Sequence, residues 1–193
     1  MVLAKGNARV KINVKRSVFI ASAKECKSVS EAKEFIKSVS KEFGDATHNC
    51  WAYRVYKDGK IVEHSSDAGE PSGSAGLPIL GAIKSLDLVN IAVVVTRYFG
   101  GVKLGIRGLI DAYSQAAMSV LRQLEFTHAE EVYLYKLKLP ISEYGKVLSK
   151  LSRQAKILSE NFTQDSFEII YASKTPIIED ATRIKKTLME KES

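Results

Sequence analysis

Alternating apolar and polar side chains in two early segments predict β-strands with one buried face. In residues 9–21 (RVKINVKRSVFIA), every second side chain of the first half is apolar, so we predict one strand there. In residues 50–64 (CWAYRVYKDGKIVEH), apolar alternation lies on both sides of Asp58-Gly59. Because this dipeptide favours a two-residue turn, the second segment is predicted to be a β-hairpin.

Three segments carry apolar side chains at the three-and-four spacing of an amphipathic helix. The first, in residues 28–43, is predicted to have Ser30 as its N-cap and Gly44 as its stop. A second, short helix is predicted in residues 77–86. A third is predicted after a glycine-rich stretch. Its expected core face consists of Ile106, Leu109, Ile110, Tyr113, Ala117, Val120, Leu121 and Leu124.

The pattern restarts after the third helix. Residues 132–141 alternate as a strand, residues 142–155 have a helical period, and two more strands are predicted in residues 156–162 and 166–173. The last segment, residues 177–190, is predicted to be a helix. The resulting β-α-β-β-α order is the start of a ferredoxin-like split βαβ domain.

These elements predict an α+β chain of 193 residues with two domains, 1–130 and 131–193. The charge changes near the same boundary: residues 1–129 hold 18 bases and 12 acids, and residues 130–193 hold 11 and 10. A basic face attracts polyanions such as RNA or an acidic protein surface. A lysine-rich surface that only aids solubility would give the same composition.

Several classes of protein are not expected. No apolar run is long enough to span a membrane, and the N-terminus lacks the apolar core of a secretory signal, so we expect a soluble, cytoplasmic protein. Cys26 and Cys50 are expected to be free thiols. His48 and Cys50 supply two possible ligands where a structural zinc needs four, so neither a metal nor a cofactor is expected.

A glycine-rich stretch, TRYFGGVKLGIRG in residues 96–108, follows NIAVVVT, which predicts a strand buried on both faces. Strand, glycine-rich loop and helix together can expose backbone N–H groups to an anion. The spacing matches neither GxxxxGK[ST] nor GxGxxG, so no nucleotide-hydrolysing or dinucleotide site is expected.

We predict instead a site for phosphate or single-stranded RNA, with Tyr98 available to stack a base. Its predicted binding residues are Arg97, Tyr98, Gly100, Gly101, Lys103, Gly105 and Arg107. In the alternative interpretation, the glycines only permit tight turns and close packing while the cations are solvated. Gly108, inside the helix, favours that alternative.

A second loop, DAGEPSGSAG in residues 67–76, carries side chains that could do chemistry. They are Asp67, Glu70, Ser72 and Ser74, with His48 and His64 upstream. A Ser-His-Asp arrangement is an alternative here, but the GxSxG elbow is absent and no catalytic residue is assigned. The plainer interpretation is a rigid turn in which Ser74 caps the next helix. A Cys-His pair in ATHNCWAY is a further alternative to simple packing of these residues.

Three segments occur in order between residues 46 and 117: ATHNCWAY, SSDAGEPSGSAGLPIL and VVVTRYFGGVKLGIRGLIDAYSQA. Together they resemble the signature of the IMPACT family, whose bacterial members are of the YigZ type. Arg107 and Asp111 depart from the family pattern. The matching positions are Asp67, Gly69, Glu70, Pro71, Ser72, Gly73, Gly76, Thr96, Arg97, Tyr98, Phe99, Gly100, Gly101, Lys103, Leu104 and Gly105.

The resemblance implies a first domain similar to a two-layer domain of a ribosomal protein and of elongation factor G, followed by a ferredoxin-like βαββα domain. Eukaryotic relatives regulate translation in amino-acid starvation, a stress response. We therefore expect a non-enzymatic, translation-associated regulator that binds RNA, the ribosome or an acidic protein partner through the basic, glycine-rich surface of the first domain. The alternative is a hydrolase-like enzyme that acts on a small anionic substrate at the DAGEPSGSAG and TRYFGG loops.

Overall fold

The computed structural model describes residues 1–191 and divides the chain into two compact units, Met1–Ala129 and Glu130–Ser193. Residues 192 and 193, which end the predicted second domain, lie outside the described residues. Both units combine strands and helices, so the α+β class is confirmed. The first unit contains β1 (Val2–Lys5), β2 (Asn7–Val14), β3 (Ser17–Glu25), α1 (Val29–Glu42), β4 (His48–Lys57), β5 (Lys60–Ser66), α2 (Gly76–Ser85), β6 (Leu88–Val89), β7 (Ile91–Tyr98), α3 (Gly105–Leu121) and the start of β8 (Glu125–Pro140).

The central sheet of the first unit is antiparallel, in the order β2-β3-β7-β4-β5. Every residue of β7 except Tyr98 is buried, as its continuous apolar run predicts. Val93 and Val95 pack in a core with α2 and α3, whereas Ala92 and Val94 pack in a second core with α1. Helices therefore lie on both faces of this sheet, and the expectation of two layers was wrong. β1 pairs separately with β6 and with the first residues of β8.

The predicted strand in residues 9–21 is in fact two strands, β2 and β3, joined by a tight turn. Lys15 and Arg16 form this turn with φ angles of 44° and 69°. The prediction failed because two-residue hairpin turns are usually marked by Asn-Gly or Asp-Gly, and this one is not. The β4–β5 hairpin is confirmed, with Asp58-Gly59 at its turn.

The helices of the first unit follow the predicted pattern with two corrections. Ser28, not Ser30, is the N-cap of α1, and its Oγ accepts a hydrogen bond from the backbone N–H of Glu31 at 3.1 Å. Ile106 and Ile110 of α3 were expected in the core but are 62% and 37% exposed. Helical spacing predicts both on the core-facing side, but the buried residues of α3 begin at Leu109 and do not include them.

The second unit contains the rest of β8, the one-turn 3₁₀ helix Ile141–Glu143, α4 (Tyr144–Gln154), β9 (Lys156–Phe162), β10 (Ser166–Ser173) and β11 (Thr182–Glu190). β10 pairs with β8 and β9, and α4 packs Val147 and Leu151 on this sheet. The prediction of a helix in residues 177–190 was wrong, because most of this segment forms β11, which pairs with β8. Lys186 of β11 forms an ion pair with Glu131 of β8 at 2.7 Å. Pairing with a distant strand therefore overrides the helical spacing of the apolar residues in this segment.

None of the helices within residues 1–191 combines the length and the apolar character that crossing a membrane requires.

Candidate functional site

The three signature segments meet at one end of the central sheet. β4 begins at this end, and β5 and β7 finish there, because His48 pairs with Arg97 and Trp51 pairs with Ser66. α2 and α3 both start at this end, each after a strand that finishes there. The DAGEPSGSAG loop and the glycine-rich loop between β7 and α3 are therefore neighbours. We call this end of the first unit the motif end.

A buried ion pair joins the two loops. Nη1 of Arg97 lies 2.6 Å from Oε1 of Glu70, and the two side chains are 6% and 3% exposed. The hydroxyl of Tyr113 donates to the same carboxylate oxygen at 2.8 Å. Nη2 of Arg97 donates to Oγ of Ser17 at 3.4 Å. The network ties β3, β7, α3 and the DAGEPSGSAG loop together.

Arg97 is consequently not among the exposed cations of the motif end. Its guanidinium lies between the rings of Phe19 and Phe99, at 5.6 Å and 5.4 Å from their centroids. Its charge is compensated by Glu70. The sequence marks Arg97 as a binding residue, whereas its placement gives it the role of holding the two loops together.

Asp67 caps α2 from the preceding loop. Its Oδ1 accepts hydrogen bonds from the N–H groups of Ala75 and Gly76 at 3.0 Å and 2.8 Å, and its Oδ2 accepts one from Gly73 at 2.8 Å. Burial by itself raises the pKa of this carboxyl, but the three hydrogen bonds outweigh it and the pKa is lowered. Asp67 therefore stabilises the start of the helix as a carboxylate.

Replacing Asp67 with alanine should lower the free energy of unfolding by about 0.5–2 kcal/mol at pH 7, the usual range for a lost capping side chain. Because the folded-state pKa is lowered, this stabilisation is present above the unfolded-state pKa of about 3.9 and is lost as the pH falls through the folded-state value. Urea unfolding followed by the fluorescence of Trp51, the single tryptophan of the chain, measures it. Asp111→Ala, at an exposed position of α3, should change stability by less than about 0.5 kcal/mol. An equal loss in both variants would contradict the capping role.

The serines of the DAGEPSGSAG loop do not form a catalytic arrangement with this carboxylate. Ser74 is fully buried and its hydroxyl donates to the carbonyl of Pro71 at 2.6 Å, so its predicted role as the helix cap was wrong. Ser72 is exposed. Asp67 accepts hydrogen bonds from backbone amides, and the acid that lies beside a histidine is Glu70, whose Oε2 is 3.9 Å from Nε2 of His48. Among the described residues, no hydrogen bond joins that histidine to Ser72 or Ser74.

The thiol next to His48 is also out of reach for chemistry. Cys50 is fully buried, and its Sγ contacts the carbonyl of Asp67 at 2.9 Å and the hydroxyl of Tyr113 at 3.3 Å. Burial raises the pKa of Cys50 to about 12, so the thiolate is not populated at neutral pH. Nδ1 of His48 bonds to the carbonyl of Ala68 at 2.9 Å. These contacts favour packing over a Cys-His nucleophile.

Four cations are exposed at the motif end. Lys103 and Arg107 lie at the start of α3, and Lys15 and Arg16 form the β2–β3 turn. Within the described part of the chain, none of the four has an ion-pair partner. Neither Lys15 nor Arg16 is among the binding residues predicted from the sequence. Two adjacent bases that interrupt an apolar alternation were the signal that could have identified them.

The first turn of α3 is open at the motif end. Leu104 at the N-cap position makes no capping hydrogen bond, and the first turn contains no acidic residue. Gly101 and Gly105 have φ angles of 83° and 74°, which explains glycine at both. Gly100 has its N–H directed to Oγ of Ser17 at 3.3 Å, so this amide is not available to a ligand.

The aromatic side chain exposed beside these groups is Phe99, not Tyr98. Phe99 is 46% exposed and covers the guanidinium of Arg97. Tyr98 is the last residue of β7 and donates its hydroxyl to Asp45 at 2.8 Å, whereas Phe99 follows the end of the strand. Tyr98 therefore does not lie with the exposed cations, and Phe99 is the ring that a base could reach.

An antiparallel sheet between helices, with a glycine-rich strand-to-helix loop at one end, followed by a βαβββ unit, defines a class of two-unit α+β proteins. The family model of the Impact N-terminal domain matches residues 15–121. This chain belongs to the IMPACT family, as its resemblance predicted.

Two relatives and one solved structure illustrate the similarity. The IMPACT family member YvyE of Bacillus subtilis (strain 168) is 34% identical over 157 residues, which are 81% of this chain and 72% of YvyE. YigZ of Escherichia coli (strain K12) is 36% identical over 133 residues, 68% of this chain and 60% of YigZ. A crystal structure of a hypothetical protein matches with a TM-score of 0.67 and 29% identity, covering 89% of this chain and 84% of that one.

Proposed function

We propose that this protein is a cytoplasmic, translation-associated regulator that binds RNA through the motif end of its first unit. The translation role is supported by membership of the IMPACT family, because the resemblance to that family implies a regulator of translation. RNA binding is supported by one observation above the others: the open first turn of α3, flanked by exposed Lys103 and Arg107.

The physical basis is the attraction between this surface and phosphate. The first N–H groups of an α-helix lack intrahelical partners, and the helix dipole favours negative charge there. Each Lys or Arg that neutralises a phosphate also releases a condensed counterion, which makes binding favourable and dependent on salt. An acidic residue in the first turn would oppose both effects, and α3 has none there.

The hydrolase-like alternative has less support. Its acidic residues are already engaged, Asp67 by backbone amides and Glu70 by Arg97. Two cavities of the protein are lined by neither of these carboxylates. One, of about 450 Å³, is lined by residues of β2, β3 and α1, and the other, of about 800 Å³, belongs to the second unit.

The variant Lys103→Gln/Arg107→Gln tests the proposal. Two lost phosphate contacts on a single strand should reduce the slope of log affinity against log salt by about 1.4, at about 0.7 for each contact. If binding at 1 M salt is equal, affinity at 0.1 M salt then falls about 25-fold. Fluorescence anisotropy with a labelled 20-nucleotide poly(U) strand, from 0.05 to 0.4 M salt, measures both quantities.

The matched control is Lys57→Gln/Lys60→Gln, which removes two exposed cations beside the β4–β5 turn at the opposite end of the same sheet. It should keep the slope of the wild-type protein. Unchanged affinity in folded Lys103→Gln/Arg107→Gln would reject the assignment of α3. Retention of an acidic protein with no salt-dependent RNA binding by the wild-type chain would favour the protein partner instead.

A further inference from the structure

We infer that the Lys15–Arg16 turn completes the nucleic-acid surface and that the ligand is a single strand, with a base stacked on Phe99 and phosphates on the turn and on the start of α3. This inference rests on the proposed function and deepens it by naming the form of the RNA and two further binding residues.

The turn is fixed directly against the glycine-rich loop. A Cβ atom at Gly100 would lie 2.0 Å from the carbonyl oxygen of Arg16 and 2.7 Å from its Cβ, so the two backbones are in close contact. Oγ of Ser17, the next residue, accepts from the N–H of Gly100 at 3.3 Å and from Arg97. Because Phe99 lies over that same arginine, the turn and the ring are held by neighbouring contacts.

The turn places two basic side chains at positions whose backbone conformation favours glycine or asparagine. Lys15 and Arg16 both have positive φ, a conformation that is costly for residues with a Cβ atom. The β4–β5 hairpin of the same sheet makes its own two-residue turn with Asp58-Gly59, the type of pair that relieves this cost. The same fold can therefore form such a turn with less strain, and two exposed cations at the motif end offer a reason why it does not.

The order of groups along this surface favours a single strand. The chain passes from the exposed ring of Phe99 to Gly100, beside the Lys15–Arg16 turn, and then to Lys103 at the start of α3. An aromatic platform next to cations along the chain suits unpaired bases, whose faces are free to stack. In a duplex the base faces are already stacked on one another, so Phe99 would gain no contact of this kind.

The test is the variant Lys15→Asn/Arg16→Gly, which installs the favoured turn pair while removing both charges. We expect the salt slope for poly(U) to fall by about 1.4 and the affinity at 0.1 M salt to fall about 25-fold. The midpoint of thermal unfolding should stay the same or rise, so the loss cannot be attributed to unfolding. A second variant, Phe99→Leu, should weaken poly(U) binding at least about fivefold without changing the slope.

The controls separate this inference from the proposed function. Lys57→Gln/Lys60→Gln removes the same charge at the opposite end and should bind as the wild-type protein does. Wild-type affinity and slope in Lys15→Asn/Arg16→Gly, with a loss in Lys103→Gln/Arg107→Gln, would overturn the inference and leave the proposed function standing. No loss in either variant would overturn both. Equal affinity for a 20-base-pair RNA duplex, together with no effect of Phe99→Leu, would overturn the single-strand ligand.

Discussion

Replacing Arg97 with methionine should lower the free energy of unfolding of the first unit by about 3–5 kcal/mol, the cost of breaking a buried ion pair from one side. The carboxylate of Glu70 would remain buried without its guanidinium partner, with the hydroxyl of Tyr113 at 2.8 Å from Oε1 and Nε2 of His48 at 3.9 Å from Oε2. Methionine fills a similar volume, so the loss of stability reflects the missing charge and not a new cavity. Urea unfolding followed by the fluorescence of Trp51 reports on this unit, because the tryptophan lies in β4.

Two further variants make this result interpretable. Arg122→Met, at an exposed position after α3, should alter stability by less than about 0.5 kcal/mol. Arg97→Met/Glu70→Gln removes both charges and should be less destabilised than Arg97→Met alone, because no uncompensated charge is then buried. A loss below about 1 kcal/mol in Arg97→Met would show that the pair does not hold the loops together.

The second large effect is expected from Gly100→Ala, with a loss of about 3 kcal/mol, at the upper end of the range for overpacking. The added methyl group would lie 2.0 Å and 2.1 Å from the carbonyl oxygen and carbon of Arg16. These are backbone atoms, so no change of rotamer relieves the contact and the β2–β3 turn must move. The same unfolding measurement gives the loss, and poly(U) binding by the folded variant should weaken because the turn is displaced.

Gly81→Ala is the matched control for this substitution. Gly81 lies in α2, is exposed, and a Cβ atom there would meet no other atom within 4 Å. Alanine should therefore stabilise the helix by up to about 1 kcal/mol. If Gly100→Ala were as stable as the wild-type protein, the close approach of the turn to the glycine-rich loop would be contradicted.

Much of the fold could be predicted where local pattern and tertiary environment agree. β7 is a continuous β-branched run and is buried on both faces. The Asp58-Gly59 pair marks a real hairpin. Prediction failed where partners distant in the chain decide the outcome. The pairing of β11 with β8 is one case, and the placement of α1 on the opposite face of the sheet from α3 is another.

The site was predicted at the level of its loops and not of its contacts. Composition marks Arg97, Lys103 and Arg107 alike, because all three are cations in one stretch. Only folding brings Glu70, 27 residues away, against the first of them and leaves the other two in solvent. Phe99 was overlooked for a similar reason. Which of the two adjacent aromatic rings is the more exposed depends on contacts made only in the folded chain, such as the hydrogen bond from Tyr98 to Asp45.

The pairing of Glu70 with Arg97 also constrains how this protein can change over time. A substitution at either position alone passes through a chain that buries an uncompensated charge, whereas a joint exchange avoids it. Substitutions at the two positions should therefore be correlated, and sequences that differ at position 70 are expected to differ at position 97 as well.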